Sequence, residues 1–406
     1  MHSDEFPIER FENYPFIVDK NGSLSDHANL FVLHEIKSPI TPSYRTLECK
    51  AYDLCYFFRW CSNTDINYLE TNLPRLSRPT YRYHRHLIDL ITIGEIAPTT
   101  GKRRMSTIIQ FYKWLIAQEL ISDNHSLWIE TPTDCLGNSV SKIDLITSFN
   151  RFKKQANPEN VADESNLRPL NSKELNQLID SLRKIGNPEM LLSFLLAVCT
   201  GARMCTVFTF RSQMFEKELP STAKFKKIKI GLGSSVKNKK DKQMLVWIPV
   251  TLYQQLRIYA LSDRALLRRR KFKKKYPLLS PHLFISERGN PYYLSENEAK
   301  IYDKLPIRGN TVHQFIAQRL KPKLRENGRN FSFHFHDLRA TFALLLLEGL
   351  KIENSDNKLE IAAMNYVKSR MGHNSFSTTE RYVERMDYPQ FENATQLIFE
   401  KYLIGI

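Results

Sequence analysis

Four residues near the end of this chain have the types and the spacing to act on a phosphodiester. His336 and Arg339 stand three apart in the run Phe335-His336-Asp337-Leu338-Arg339-Ala340-Thr341-Phe342-Ala343. Phe342, Leu345 and Leu346 follow at helical spacing, which predicts that His336 and Arg339 open a helix and can face one ligand beside its positive end. Further on, Gly372 should end an apolar helix, and Ser375 or Ser377 can cap a new one that carries Tyr382. His373 lies nine residues before Tyr382. Two imidazoles, a guanidinium and a phenol are thereby linked by short connections, and that set suits proton transfer, anion stabilisation and nucleophilic attack at phosphorus.

These two motifs, His-x-x-Arg and then Gly-His with a Tyr nine residues after the His, resemble those of the tyrosine recombinase (phage integrase) family. Two further segments fit the family's order. Thr200-Gly201-Ala202-Arg203 resembles its first arginine motif, in which an apolar helix delivers an Arg just past a Gly. The family has an acidic residue three positions after this Arg, where the present chain has Thr206. The family also places a general-acid Lys on a β-hairpin. Strand-like runs at 226–232 and 243–250 flank a lysine-rich loop in which Lys237 matches best and Lys239 is the runner-up.

The resemblance implies a mechanism and a catalytic set of Arg203, Lys237, His336, Arg339, His373 and Tyr382. Tyr382 would attack a DNA phosphorus to leave a 3′-phosphotyrosyl bond and a free 5′-hydroxyl. A phenol has an ordinary pKa of about 10, so only about one in a thousand is ionised near pH 7 and a proton acceptor is needed. His336 is the best-placed acceptor. Arg203, Arg339 and His373 would neutralise charge on the non-bridging oxygens, and Lys237 would protonate the leaving oxygen. The phosphotyrosyl bond stores the energy of the bond it replaces, so neither cofactor nor metal is expected. The implied function is site-specific DNA recombination or integration for a mobile element. A monomeric type IB topoisomerase-like enzyme and a catalytically inactive DNA-binding relative are the alternatives.

Composition agrees with a polyanionic partner. The 406 residues hold 59 Lys plus Arg against 43 Asp plus Glu, a formal net charge of +16, which favours a polyanion, nucleic acid first, over a neutral small molecule; the family resemblance implies double-stranded DNA. Self-association on DNA as a tetrameric synapse follows from the family resemblance, with an accessory DNA-bending or directionality factor as a further partner. No secretory signal or membrane span is legible, since Asp4, Glu5, Glu9 and Arg10 interrupt the start and the most apolar segment, 190–199, is too short. The six cysteines, at 49, 55, 61, 135, 199 and 205, lack metal-ligand spacing and read as reduced thiols. A cytoplasmic, DNA-associated bacterial protein is the expectation.

The elements that must position these residues are mostly helical. The predicted fold is mainly α with a small β-sheet (α+β). It comprises an appendage at 1–40, a helical, SAM-like core-binding domain at 41–155, a polar linker at 156–168 and a catalytic domain at 169–406. In the appendage, runs at 14–18 and 29–34 look like strands on either side of an Asn21-Gly22 turn. Helical periodicity marks 44–62, 81–93 and 102–120, and Lys102, Arg103 and Arg104 would suit backbone phosphates at a helix start. Asn171 and Glu174 form a capping-box pattern, and Pro188 opens the helix that leads to Arg203. The run 264–275 has eight positive charges in twelve residues and no acid. Arg268, Arg269, Arg270, Lys271, Lys273, Lys274 and Lys275 are accordingly read as DNA-backbone contacts. A polar loop is expected near 351–358, and a last helix at 391–403.

Overall fold

A computed structural model describes residues 14–19, 21–38, 42–122, 126–135, 138–152, 161–163, 165–328, 331–352, 366–367 and 369–371. His373, Tyr382, the expected loop over 353–358 and the helix expected at 391–403 lie outside the described residues. The chain divides into two compact units, Met1–Gln155 and Ala156–Ile406. Helices dominate both, and the described strands form three two-stranded antiparallel sheets.

The first unit is built on four helices, α1 (Asp26–Lys37), α2 (Tyr44–Asn63), α3 (Pro79–Thr92) and α4 (Pro98–Ala117). Proline opens α3 and α4, where a missing N–H costs nothing. The Ser43 side chain caps α2 by accepting from the Thr46 N–H at 3.3 Å. Helix α1 corrects the expected strand at 29–34. Its β-favouring residues are overridden because Ala28, Phe31 and Val32, at helical spacing, are buried in the same core as Phe57, Phe111 and Trp114. This part of the appendage is therefore core. The Asn21-Gly22 turn forms as expected, with Gly22 at φ +83° and a bridge from Val18 to Leu24. The unit ends in a hairpin, β1 (Glu130–Cys135) and β2 (Asn138–Ile143), and a short helix α5 (Asp144–Thr147).

The second unit begins with a small hairpin, β3 (Val161–Asp163) and β4 (Ser165–Leu167), inside the stretch expected to be a linker. Helix α6 (Ser172–Ile185) starts with the Asn171–Glu174 capping box and stops at Gly186, φ +69°. Helix α7 (Pro188–Thr200) is buried on nearly every side, which its continuous apolar sequence requires. It packs against α6, against α8 (Met204–Thr209) and against the strand and helices named next. Strands β5 (Phe225–Ile230) and β6 (Met244–Pro249) pair antiparallel, Phe225 opposite Pro249 and Ile230 opposite Met244. They are followed by α9 (Val250–Leu261) and α10 (Asp263–Lys275). Next come α11 (Glu296–Lys300), α12 (Asn310–Phe315), a π turn at Ile316–Leu320 and α13 (Lys321–Glu326). The long α14 (Asp337–Ile352) crosses α7, and its helical backbone runs through Lys351 and Ile352, the start of the expected loop.

Candidate active site

Arg203 is delivered by a turn that only glycine fits. Helix α7 ends at Gly201 in the left-handed region, φ +65°, and a Cβ there would come within 2.5 Å of the Phe342 ring on α14. Arg203 follows as the N-cap residue of α8, half-buried, and its Nη1 donates to Asn238 Oδ1 at 3.5 Å. Asn238 belongs to the loop between β5 and β6, next to Lys237.

The loop that carries Lys237 is held by α8. The Thr206 hydroxyl donates to the Lys237 carbonyl at 2.9 Å, and the Lys237 N–H donates to Thr209 Oγ1 at 2.9 Å. Thr206, which stands where the family has an acid, thus fastens the backbone of the candidate lysine. Burial pushes the Cys205 thiol up, against the opposing pull of Thr206, Arg203 and Lys237. The Lys237 ammonium pairs with Asp241 at 2.9 Å.

Arg339 joins three segments. It lies in the first turn of α14, 3% exposed, and its guanidinium donates to the Gly201 carbonyl at 2.6 Å and to the Met371 carbonyl at 2.5 Å. Met371 directly precedes Gly372-His373. His336 sits just before α14, half-buried, and its carbonyl accepts from the Arg339 N–H at 3.1 Å. Asp337 fixes this corner: its carboxylate accepts from the N–H of Arg168 at 3.2 Å and of His334 at 2.8 Å. Arg203, Lys237, His336 and Arg339 therefore share one framework, while His373 and Tyr382 lie outside the described residues.

Sequence reasoning missed Arg211. It is 4% exposed, donates to the Ser235 carbonyl at 2.9 Å beneath the Lys237 loop, and pairs with Glu298 and the ring of His282. Burial, with Arg211 beside it, holds His282 far below the ordinary histidine pKa. The signal available was an Arg set in the apolar run Val207-Phe208-Thr209-Phe210, where a charge must find partners.

Two residues of the basic clusters, Arg104 and Arg268, need correction. Consecutive residues on a helix point about 100° apart, so Lys102, Arg103 and Arg104 cannot share a face. Lys102 reaches Asn150 at 3.3 Å, and Arg103 pairs with the buried Asp53. Arg104 is 8% exposed and lies 3.6 Å over the Tyr56 ring, out of reach of a DNA backbone. On α10, Arg264 and Arg268 both pair with Glu189, which is fully buried, at 2.8 and 2.9 Å. Arg268 is 8% exposed and also donates to the Ile285 carbonyl at 2.8 Å, so it too is withdrawn from DNA. Arg269 pairs with Glu216 at 2.9 Å. Lys271 and Lys273 donate to the carbonyls of Glu287 and Pro277, and Lys275 to the side chain of Asn290. Arg270 and Lys274 make no such bond among the described residues. Of the eight charges in the run, three are paired with carboxylates among the described residues, Arg264 and Arg268 sharing that of Glu189.

No family model matches this chain, and no curated protein does. Among solved structures it is similar to XerH site-specific recombinase bound to palindromic difH substrate in a post-cleavage complex, at 16% identity over 95% of this chain and 90% of that one, TM-score 0.48. It is likewise similar to a lambda integrase (75–356) dimer bound to a COC' core site, at 14% identity over 89% and 95%, TM-score 0.47. A third similarity is to the Tn1549 transposon integrase with circular intermediate DNA, at 11% identity over 88% and 95%, TM-score 0.44. None of the described helices is long and apolar enough to cross a membrane.

Proposed function

We propose that this protein is a site-specific DNA recombinase of the tyrosine recombinase type, which cuts and rejoins double-stranded DNA through a covalent bond to Tyr382. The observation that carries the reading is the position of Arg339, whose two donors tie the Gly201–Arg203 turn and the residue before Gly372-His373 to the helix that His336 precedes. Three segments far apart in sequence meet at this one side chain, which supports the reading.

In this mechanism the Tyr382 oxygen attacks phosphorus as its proton passes to His336, and the bond from phosphorus to the 5′-oxygen breaks. Lys237 gives that oxygen a proton and is left as the neutral amine. Lys237 is preferred to Lys239 because both its backbone groups are held by hydroxyls of α8. Arg203, the more exposed of the two arginines, binds the phosphate directly. Arg339 adds its charge from behind while it fixes the surrounding turns. Rejoining is the reverse sequence with a new 5′-hydroxyl, and exchange between two duplexes requires several protomers on DNA.

The test begins with nicked duplexes of randomised core sequence. Strands that remain protein-linked after denaturation are captured and sequenced, which identifies a cleavable site. On the recovered duplex, Tyr382→Phe is expected to bind DNA as the parent does and to form no adduct. An adduct in that variant would move the nucleophile to another tyrosine, Tyr388 first, and the absence of adduct with the parent protein would sink the catalytic reading.

A further inference from the structure

The Lys237 ammonium does not point freely from its loop: Asp241, four residues on, holds it at 2.9 Å. Both ends of this pair are placed by backbone contacts independent of the pair itself. Lys237 is held by Thr206 and Thr209. The Asp241 N–H donates to the Asn238 carbonyl at 3.1 Å, and its carbonyl accepts from Leu232 at 2.8 Å. Asp241 has φ +51°, the left-handed conformation that most residues with a Cβ avoid and that Asp and Asn tolerate. The turn closes so tightly that a Cβ on Gly231 would meet the Lys242 carbonyl oxygen at 2.1 Å and that of Asp241 at 2.9 Å. The fold of the loop therefore holds the Asp241 backbone where its carboxylate reaches the amine.

We propose that Asp241 is a positioning residue that parks the Lys237 ammonium away from the scissile phosphate until DNA is seated. The proposal rests on the recombinase reading for the role of Lys237 and on the loop geometry for the pairing. With side chains 34% and 47% exposed, the pair is solvated and weak, so an incoming phosphate can displace the carboxylate. Lys237 then turns to the departing 5′-oxygen, donates its proton as the bond to phosphorus breaks, and is left as the neutral amine. A lysine without this partner would sample the acid position more often, and the protein would cleave faster and with less dependence on a fully seated duplex.

The test compares the parent with Asp241→Asn, which keeps the left-handed backbone and removes the charge. Single-turnover adduct formation is measured on the recovered nicked duplex with either a 5′-bridging oxygen or a 5′-bridging sulfur, which leaves without a proton. The expected result is a rise of about two- to five-fold with oxygen, the range a solvated pair can supply. No change is expected with sulfur, and no gain when Lys237→Ala is also present. An unchanged or slower rate with oxygen, or an equal change with sulfur, overturns the proposal. In parallel, Lys237 in the free full-length protein is acylated with N-acetoxysuccinimide and mapped by mass spectrometry. Labelling should rise about two- to five-fold in Asp241→Asn. Unchanged labelling overturns the parking whether or not DNA is cleaved. Failure of the parent to form any adduct would instead count against the recombinase reading, and labelling then decides the pairing alone.

Discussion

Arg339 and Arg268 are both buried arginines on helices of the second unit, and they tie different parts of it together. Arg339 donates to the backbone carbonyls of Gly201 and Met371, and Arg203 to the amide oxygen of Asn238. Arg268 shares the carboxylate of Glu189 with Arg264, and Arg269 takes that of Glu216. Arg339 thus draws segments from three parts of the chain to one corner. Arg264 and Arg268 hold α10 to α7 through Glu189. The count of basic residues is the same kind of number in both places, and the acceptor decides what it means.

The comparison breaks first at Arg203. Arg203→Ala should lower single-turnover adduct formation on the order of 10²- to 10³-fold, as loss of one oxyanion-stabilising group does. A 5′-bridging sulfur should not restore it, whereas Lys237→Ala should be restored, because only the lysine supplies a proton. Recovery of Arg203→Ala with sulfur would mean that the two roles have been exchanged.

Arg268→Ala should act on stability instead. It leaves Glu189, fully buried, short of a cation and is expected to cost about 3 kcal/mol in urea unfolding. The salt dependence of DNA binding by the folded fraction should stay as in the parent. A shallower salt dependence with unaltered stability would place Arg268 on DNA after all.

Gly201→Ala tests the turn that joins the two arginines. A left-handed alanine costs about 1–2 kcal/mol before the Phe342 ring is displaced. Because the Gly201 carbonyl is an acceptor for Arg339, adduct formation should fall along with stability. Loss of stability with full cleavage by the folded protein would separate the turn from the site.

The smallest effect is expected on the outer face of α10. Replacing Arg270 and Lys274 together by Gln should reduce the slope of log affinity against log salt by about 0.9 for each residue that truly contacts a phosphate, hence by roughly 1 to 2 units. The weakening should be equal on target and random duplexes, since backbone contacts read no bases. A titration over a salt series that returns the parent slope would remove Arg270 and Lys274 from the DNA-binding surface.

What the sequence alone determined was local. The helices at 44–62 and 102–120, the capping box at Asn171 and Glu174, the hairpin around Lys237 and the turn at Gly201 were legible because periodicity, caps and glycines act over a few residues. The motif spacings named Arg203, Lys237, His336 and Arg339 for the same reason. What only the tertiary structure decided depended on partners far away in the chain. Glu189 lies 75 residues before Arg264, Thr206 lies 31 before Lys237, and Gly201 lies 138 before Arg339. Whether a run of arginines faces DNA or a buried glutamate, whether Thr206 can stand where an acid is expected, and whether the segment around Phe31 is strand or helix are settled by what packs against each. A composition or a spacing records that a charge exists, and only the fold determines which group is close enough to neutralise it.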